Sequence, residues 1–332
     1  MREGNAEAHV GLRWLAEPPT FDPREGTTVV EPPGAGPGWW AGACSALFDP
    51  DEGVFYLYYR IRKPRELGRG VECRIARSED GVRFRDIWRA TKGQLGTESM
   101  ERACLIRGHD GAWRLYLSFV DPADGRWRTD GLEAQSPSGF DPRKRWCIFT
   151  AEDVAVEGVK DPWVMRVGGR YFMILSYAPA PAKLSEQERA RMHATGDVYN
   201  TGITRSHTAL AESLDGRSFR WLGDILSPSD GGWDAYAARV SCVMYLPPVW
   251  VAYYDGSASV AENYEERTGV ATGGDLWSLT RVSAGGPVLT SPHASGSLRY
   301  LDVVRVDDRL LYYYEYARPD GSHELRVSTV SL

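Results

Sequence analysis

The chain has little of what would tie it to a structural metal, a membrane or a nucleic acid. Its five cysteines (Cys44, Cys73, Cys104, Cys147 and Cys242) are odd in number, widely spaced and free of any CxxC pair, which argues against zinc. Cys44, Cys104 and Cys242 fall early in successive apolar segments, where a reduced thiol packs as a small hydrophobe. No Lys/Arg block rises above background and the net charge is −6, so nucleic acid and anionic membrane are poor partners. No stretch reaches the roughly 18–20 apolar residues of a membrane span. Met1–Val10 has no apolar core of signal-peptide length, and the expected address is cytoplasmic. There is no Gly-rich phosphate loop, nucleophile elbow or HExxH motif. Helix-favouring runs are scarce.

What is present in quantity is Trp (12), Tyr (17) and Gly (35), in a chain of 332 residues that is 42% hydrophobic and 25% charged. That mix suits strands and tight turns around a buried core. One pattern of about sixty residues recurs five times, with an apolar segment, a short turn and a segment dense in aromatics. The aromatic members are Val54–Arg60, Trp113–Ser118, Tyr171–Ser176, Val249–Asp255 and Leu310–Tyr316, and the apolar ones lie near 42–48, 101–107, 161–167, 238–245 and 298–306. A third segment follows each, often ending in a Ser/Asp/Gly turn such as Ser78-Glu79-Asp80-Gly81 or Ser213-Leu214-Asp215-Gly216. A fourth, outer segment follows at Phe84–Ala90, Trp146–Thr150, Phe219–Leu226 and Trp277–Ser283.

Four strands in each of five repeats predict an all-β fold, a five-bladed β-propeller with four-stranded blades. The blades span approximately 39–97, 98–158, 159–233, 234–292 and 293–332, in a single domain over 1–332. The last repeat lacks an outer strand, and Val10–Pro18 resembles the outer strands elsewhere. An N-terminal strand within 9–18 is therefore expected to close the last blade and cover its edge. In the longest loop, Ala178–Ser206, a short helix is expected over Ser185–His193, with Ser185 as N-cap and Glu188 three residues on.

The links between the second and third strands are long, and function concentrates on long loops set on a rigid scaffold. The first strands begin on that same face, and their starts are charged: Glu98, Glu101 and Arg102; Lys160 and Asp161; Asp234 and Arg239; Arg299 and Tyr300. The first repeat offers Trp39 and Trp40 instead. Buried charges brought together must pair or meet a ligand. Two readings follow: an Arg–carboxylate lattice that plugs the axis, or a polar pocket with an aromatic platform suited to a carbohydrate or glycoside as small-molecule partner. Asp255, Glu265 and Glu315, at or beyond aromatic-strand ends, add carboxylates near the same mouth. Convergence of Arg102, Lys160, Arg239 and Arg299 suits an anion, and the bland alternative is that each neutralises a nearby acid. The sequence does not fix an oligomeric state.

Val159–Tyr177, with Asp161-Pro162 opening a first strand and an aromatic strand after it, resembles the five-bladed β-propeller glycosidase superfamily, including glycoside hydrolase families 43, 32 and 130. The resemblance implies carboxylates at the first-strand starts of blades one, three and four, cooperating to cleave a glycosidic bond of a small sugar substrate, here one of anionic character. Asp161 matches the blade-three member. The blade-one position falls at Ala43-Cys44 and the blade-four position at Ala238-Arg239, and neither holds an acid. The catalytic candidates are therefore Asp161, Glu101 and Asp255. Trp39, Trp40, Arg102, Lys160, Arg239, Glu265, Arg299, Tyr300 and Glu315 are candidate substrate-binding residues. The resemblance also leaves open phosphorolysis, elimination or sugar binding without catalysis. No cofactor is required. His293 is the candidate for the axial, calcium-like divalent ion that some family 43 relatives hold.

Overall fold

A computed structural model describes residues 19–332, and these form an all-β structure of five successive groups of four antiparallel strands. The first group in chain order is β2 (Trp40–Asp49), β3 (Val54–Arg62), β4 (Gly70–Ser78) and β5 (Arg85–Thr91). Next come β6 (Met100–Arg107), β7 (Trp113–Val120), β8 (Trp127–Ala134) and β9 (Arg145–Phe149). The third group is β10 (Val156–Val167), β11 (Arg170–Pro179), β12 (His207–Ser213) and β13 (Arg220–Leu226). The fourth is β14 (Ala237–Leu246), β15 (Val249–Ser257), β16 (Arg267–Gly273) and the two-residue β17 (Thr280–Arg281).

The last group is β18 (Leu298–Val306), β19 (Arg309–Ala317) and β20 (His323–Ser331), completed by β1 (Thr27–Val30) pairing antiparallel with β20. The predicted closing strand within 9–18 lies outside the described residues. The edge assigned to it is occupied by Thr27–Val30, so the last group is closed by a later N-terminal segment than expected. Single parallel pairings, Trp40 with His323 and Arg267 with Leu298, tie neighbouring groups at their strand starts.

The aromatic strands read as unbroken apolar runs because both of their faces are buried. Side chains alternate across a strand. Val54, Tyr56 and Tyr58 therefore pack with Leu105, Leu115 and Leu117 of the second group. Phe55, Leu57 and Tyr59 pack with Leu311, Tyr313 and Leu325 of the last. The first strands pack side by side in chain order, and β18 packs back against β2.

The Ser/Asp/Gly turns also serve as docking points. Ser213 Oγ accepts the amides of Asp215 and Gly216 at 3.2 and 2.9 Å, and Asp215 accepts those of Arg217 and Ser218. Gly216 has φ +70°, which glycine adopts without Cβ strain. Its carbonyl receives Tyr116 Oη from the preceding group at 2.8 Å. The turn at Ser78–Gly81 repeats this, with Tyr313 Oη on Gly81 O at 2.8 Å.

Two short helices interrupt the strands, α1 (Lys92–Leu95) and α2 (Glu186–Ala194). The second has the expected capping box between Ser185 and Glu188. Among the described residues no helix is long and apolar enough to cross a membrane. All five thiols are free, with Cys147 exposed and the other four buried.

Candidate active site

Every first strand slips register near its start: between Gly42 and Ser45, Met100 and Ala103, Lys160 and Trp163, Val240 and Cys242, and Arg299 and Asp302. A bulge of this kind re-aims side chains and bends the strand. At three of the five slips a non-glycine residue takes positive φ: Ala43 (+52°), Asp161 (+56°) and Tyr300 (+51°). Such strain persists only where the surroundings enforce it, and it clusters at ligand sites.

The side chains so aimed meet those at the ends of the aromatic strands. Arg60 reaches Glu101 at 2.6 Å and Glu315 at 3.5 Å. Arg299 bridges Glu315 and Glu266, each at 2.7 Å, and Arg239 also pairs with Glu266. Lys160 Nζ lies 3.3 Å from Asp161 and 3.9 Å from Glu101, with Trp127 and Tyr199 beneath it. His323 is held between Glu315 (2.9 Å) and Glu265 (3.0 Å) and stacks on Trp40 at 4.4 Å. Gly42 makes room for Glu315, since a Cβ there would collide with its carboxylate. The neighbouring Ala43 N–H donates to the same carboxylate at 3.1 Å.

Tyr300 joins two acids. Its backbone N–H donates to both oxygens of Asp255 (3.0 and 3.1 Å), and its hydroxyl donates to Asp161 Oδ2 at 3.4 Å. Asp161 Oδ1 is buried without a partner, a costly arrangement in the absence of a ligand donor.

These carboxylates differ in their proton affinity. Burial pushes Asp255 up to about 6, against the pull of Arg239 and the Tyr300 amide. Burial acts on Glu101 in the same sense, but Arg60, Lys160 and Arg62 override it and hold the group down at about 2. Glu315 is likewise depressed, as Arg299 and His323 outweigh its burial. Burial lowers Lys160 despite Asp161 and Glu101 beside it. One interior thus holds carboxyls of opposite tendency, the pattern that separates an acid from ionised partners.

Of the residues singled out from sequence, Asp161, Glu101, Asp255, Lys160, Arg239, Arg299, Tyr300, Glu315 and Trp40 meet in this cluster, and Glu265 joins at its rim through His323. Trp39 is half-buried beside it, against Gly34. Arg102 is a correction. Its guanidinium points further along the first strands, bonding the carbonyls of Cys44 and Ser241 and lying 3.6 Å from Asp302. It braces the axis and does not reach the mouth.

His293 is another correction. Its ring meets Tyr316 edge-on, and among the described residues no group of three His, Cys, Asp or Glu is placed to hold a metal ion. The imidazole that does enter the cluster is His323, and both of its nitrogens are taken by carboxylates.

Arg60, Arg62 and Tyr264 were missing from the candidate set. The signal for the first two was a pair of arginines, two apart, closing an otherwise apolar strand. The Arg62 guanidinium lies 4.0 Å from the centre of the Trp40 ring and 4.5 Å from that of Tyr264.

No protein-family model matches the chain, and no curated protein matches it by sequence. Solved structures do match it in fold. A glycosyl hydrolase from Bacteroides ovatus superposes with a TM-score of 0.63 at 14% identity, over 94% of this chain and 93% of that one. A β-1,2-mannobiose phosphorylase from Listeria innocua gives 0.59 at 16% identity, over 92% and 94%. A GH43_1 enzyme from Xanthomonas citri, complexed with xylotriose, gives 0.60 at 12% identity, over 97% and 93%. The chain shares the overall fold of these structures.

Proposed function

We propose that the chain is one five-bladed propeller domain that cleaves a glycosidic bond at its axial pocket, with Asp255 as general acid and Asp161 as the facing carboxylate. The ring of first strands, with β18 packed against β2, supports the blade count. The observation that carries the chemistry is the contrast between Asp255 and its neighbours. Glu101, Glu266 and Glu315 are each pinned by arginine. Asp255 has only a backbone amide and is buried enough to be pushed up to about 6.

Glycoside cleavage needs one carboxyl that gives a proton to the leaving oxygen and one that stays ionised. Asp161, beside Lys160 and with Oδ1 unpartnered, suits the second role or the capture of a sugar hydroxyl. Water is favoured over phosphate as acceptor, because Arg60, Arg239 and Arg299 already carry carboxylates.

A panel of neutral and uronic aryl glycosides, with and without phosphate, tests this reading. Asp255→Asn is expected to cut kcat by about 10²–10⁴-fold, and the wild-type rate to fall as pH rises through about 6, where the acid loses its proton. Turnover that survives both Asp255→Asn and Asp161→Asn would overturn the assignment. Turnover that requires phosphate would move the reading to phosphorolysis.

A further inference from the structure

Arg62 stands apart from the other cations of the cluster. It ends β3 opposite Trp40 and is only 5% exposed. Arg60 has Glu101, Arg239 has Glu266, Arg299 has Glu315 and Lys160 has Asp161. Among the described residues, no carboxylate forms an ion pair with Arg62 and no acceptor takes its N–H groups. Its guanidinium packs in the angle between Trp40 and Tyr264, whose rings are inclined at 61° to each other. Tyr264 itself is held in place, at φ +80°, by its hydroxyl on Asp197. Burial and the nearby Arg60 pull Arg62 down to about 10, so it stays charged at neutral pH, and a buried charge without a partner is costly.

The charge count points the same way. Leaving aside His323 and Glu265, which face each other, the cations are Arg60, Arg62, Lys160, Arg239 and Arg299. The acids are Glu101, Asp161, Asp255, Glu266 and Glu315. With every acid ionised the two sets balance, and Arg62 is the one of these cations, and Asp255 the one of these acids, without an ion pair; when Asp255 holds its proton the site is short of one negative charge. A guanidinium presents its N–H fork in one plane, which matches a carboxylate bidentately. A phosphate dianion would bring more charge than the site lacks.

We infer that Arg62 recognises a carboxylate borne by the sugar, so that the pocket selects a uronic acid unit over its neutral counterpart. This rests on the glycoside-processing reading for the identity of the ligand as a sugar, but its test does not require turnover.

The experiment is calorimetric titration of the Asp255→Asn chain with pairs differing only in the carboxylate: the methyl glycosides of glucuronic acid and glucose, and of galacturonic acid and galactose. Inorganic phosphate forms a separate arm. The same titrations are made with Arg62→Met and Arg62→Lys added. At least one uronate is expected to bind about tenfold or more tighter than its neutral pair, as a charge-assisted bidentate contact implies. Arg62→Met should abolish the preference and Arg62→Lys should reduce it, both with cooperative unfolding retained. Equal binding of acid and neutral sugars, binding of phosphate alone, or no binding of either sugar would overturn the inference. So would a uronate preference that persists in both Arg62 variants. If uronates bind through Arg62 while wild-type turnover is absent or indifferent to Asp255→Asn, this inference stands and the catalytic reading falls. If neutral glycosides are turned over through Asp255 with no uronate preference, the reverse holds.

Discussion

Replacing Asp255 with asparagine should make the protein more stable at neutral pH, and the size of the effect follows from its surroundings. Asp255 is 2% exposed and its hydrogen bonds come from one backbone amide. Burial raises it from 3.8 to about 6, a shift of about 2 units at 1.36 kcal/mol each, or about 3 kcal/mol. A carboxyl raised in the folded state binds more protons folded than unfolded between those two values. Stability is therefore lost as pH rises through that window, and the loss is complete above about 6.

Asparagine keeps the shape and an acceptor for the Tyr300 amide without the buried charge. For 332 residues, unfolding entropy near 2.1 cal/mol/K per residue gives about 0.7 kcal/mol/K, so Asp255→Asn should raise Tm by about 4 °C at pH 7.5. The gain should shrink to a small fraction of this by pH 4 and vanish only below the unfolded value of 3.8, where the wild-type group is protonated in both states. Scanning calorimetry of both proteins across pH 4–8 measures this difference. A variant less stable than wild type at pH 7.5, or a gain that does not change with pH, would refute the reasoning. The outcome also bears on function, since a stabilising substitution that removes activity marks a group retained for chemistry and not for folding.

Glu266 is the opposite case. Its carboxylate is shared by Arg239 and Arg299, so Glu266→Ala strands the buried Arg239, leaves Arg299 with Glu315 alone, and should cost about 3–5 kcal/mol in denaturant unfolding; an unchanged midpoint would contradict the ion-pair geometry. Of the five thiols only Cys147 is exposed, so a thiol reagent should modify one cysteine quickly in the native protein and all five in denaturant, and rapid modification of more than one would dispute the burial of the rest. Ser185→Ala removes a capping box from α2 and should weaken that helix by about 1 kcal/mol, seen as faster hydrogen exchange over 186–194 with global stability little changed.

The chain alone determined the repeat. Five aromatic strands, each buried on two faces, must alternate core contacts with both neighbouring groups, and that requirement is written into runs such as Val54–Arg62. Turn chemistry was equally legible, because Ser213, Asp215 and Gly216 satisfy their own backbone locally. The charged first-strand starts also announced themselves, since Glu101, Lys160, Asp161, Arg239 and Arg299 break strands that are otherwise apolar. Which N-terminal segment covers β20 was not legible, because a short edge strand has little pattern to distinguish Thr27–Val30 from other candidates.

Partnership within the cluster was decided only by the tertiary structure. Arg102 and Arg299 look alike in the chain, yet neighbouring positions at a bulge point to different depths, and one braces the axis while the other enters the site. Asp255 and Glu315 both sit near the end of an aromatic strand. One meets a lone amide and the other meets two arginines and a histidine, and it is this difference in desolvation and pairing, set by residues far away in sequence, that makes one a candidate acid and holds the other ionised.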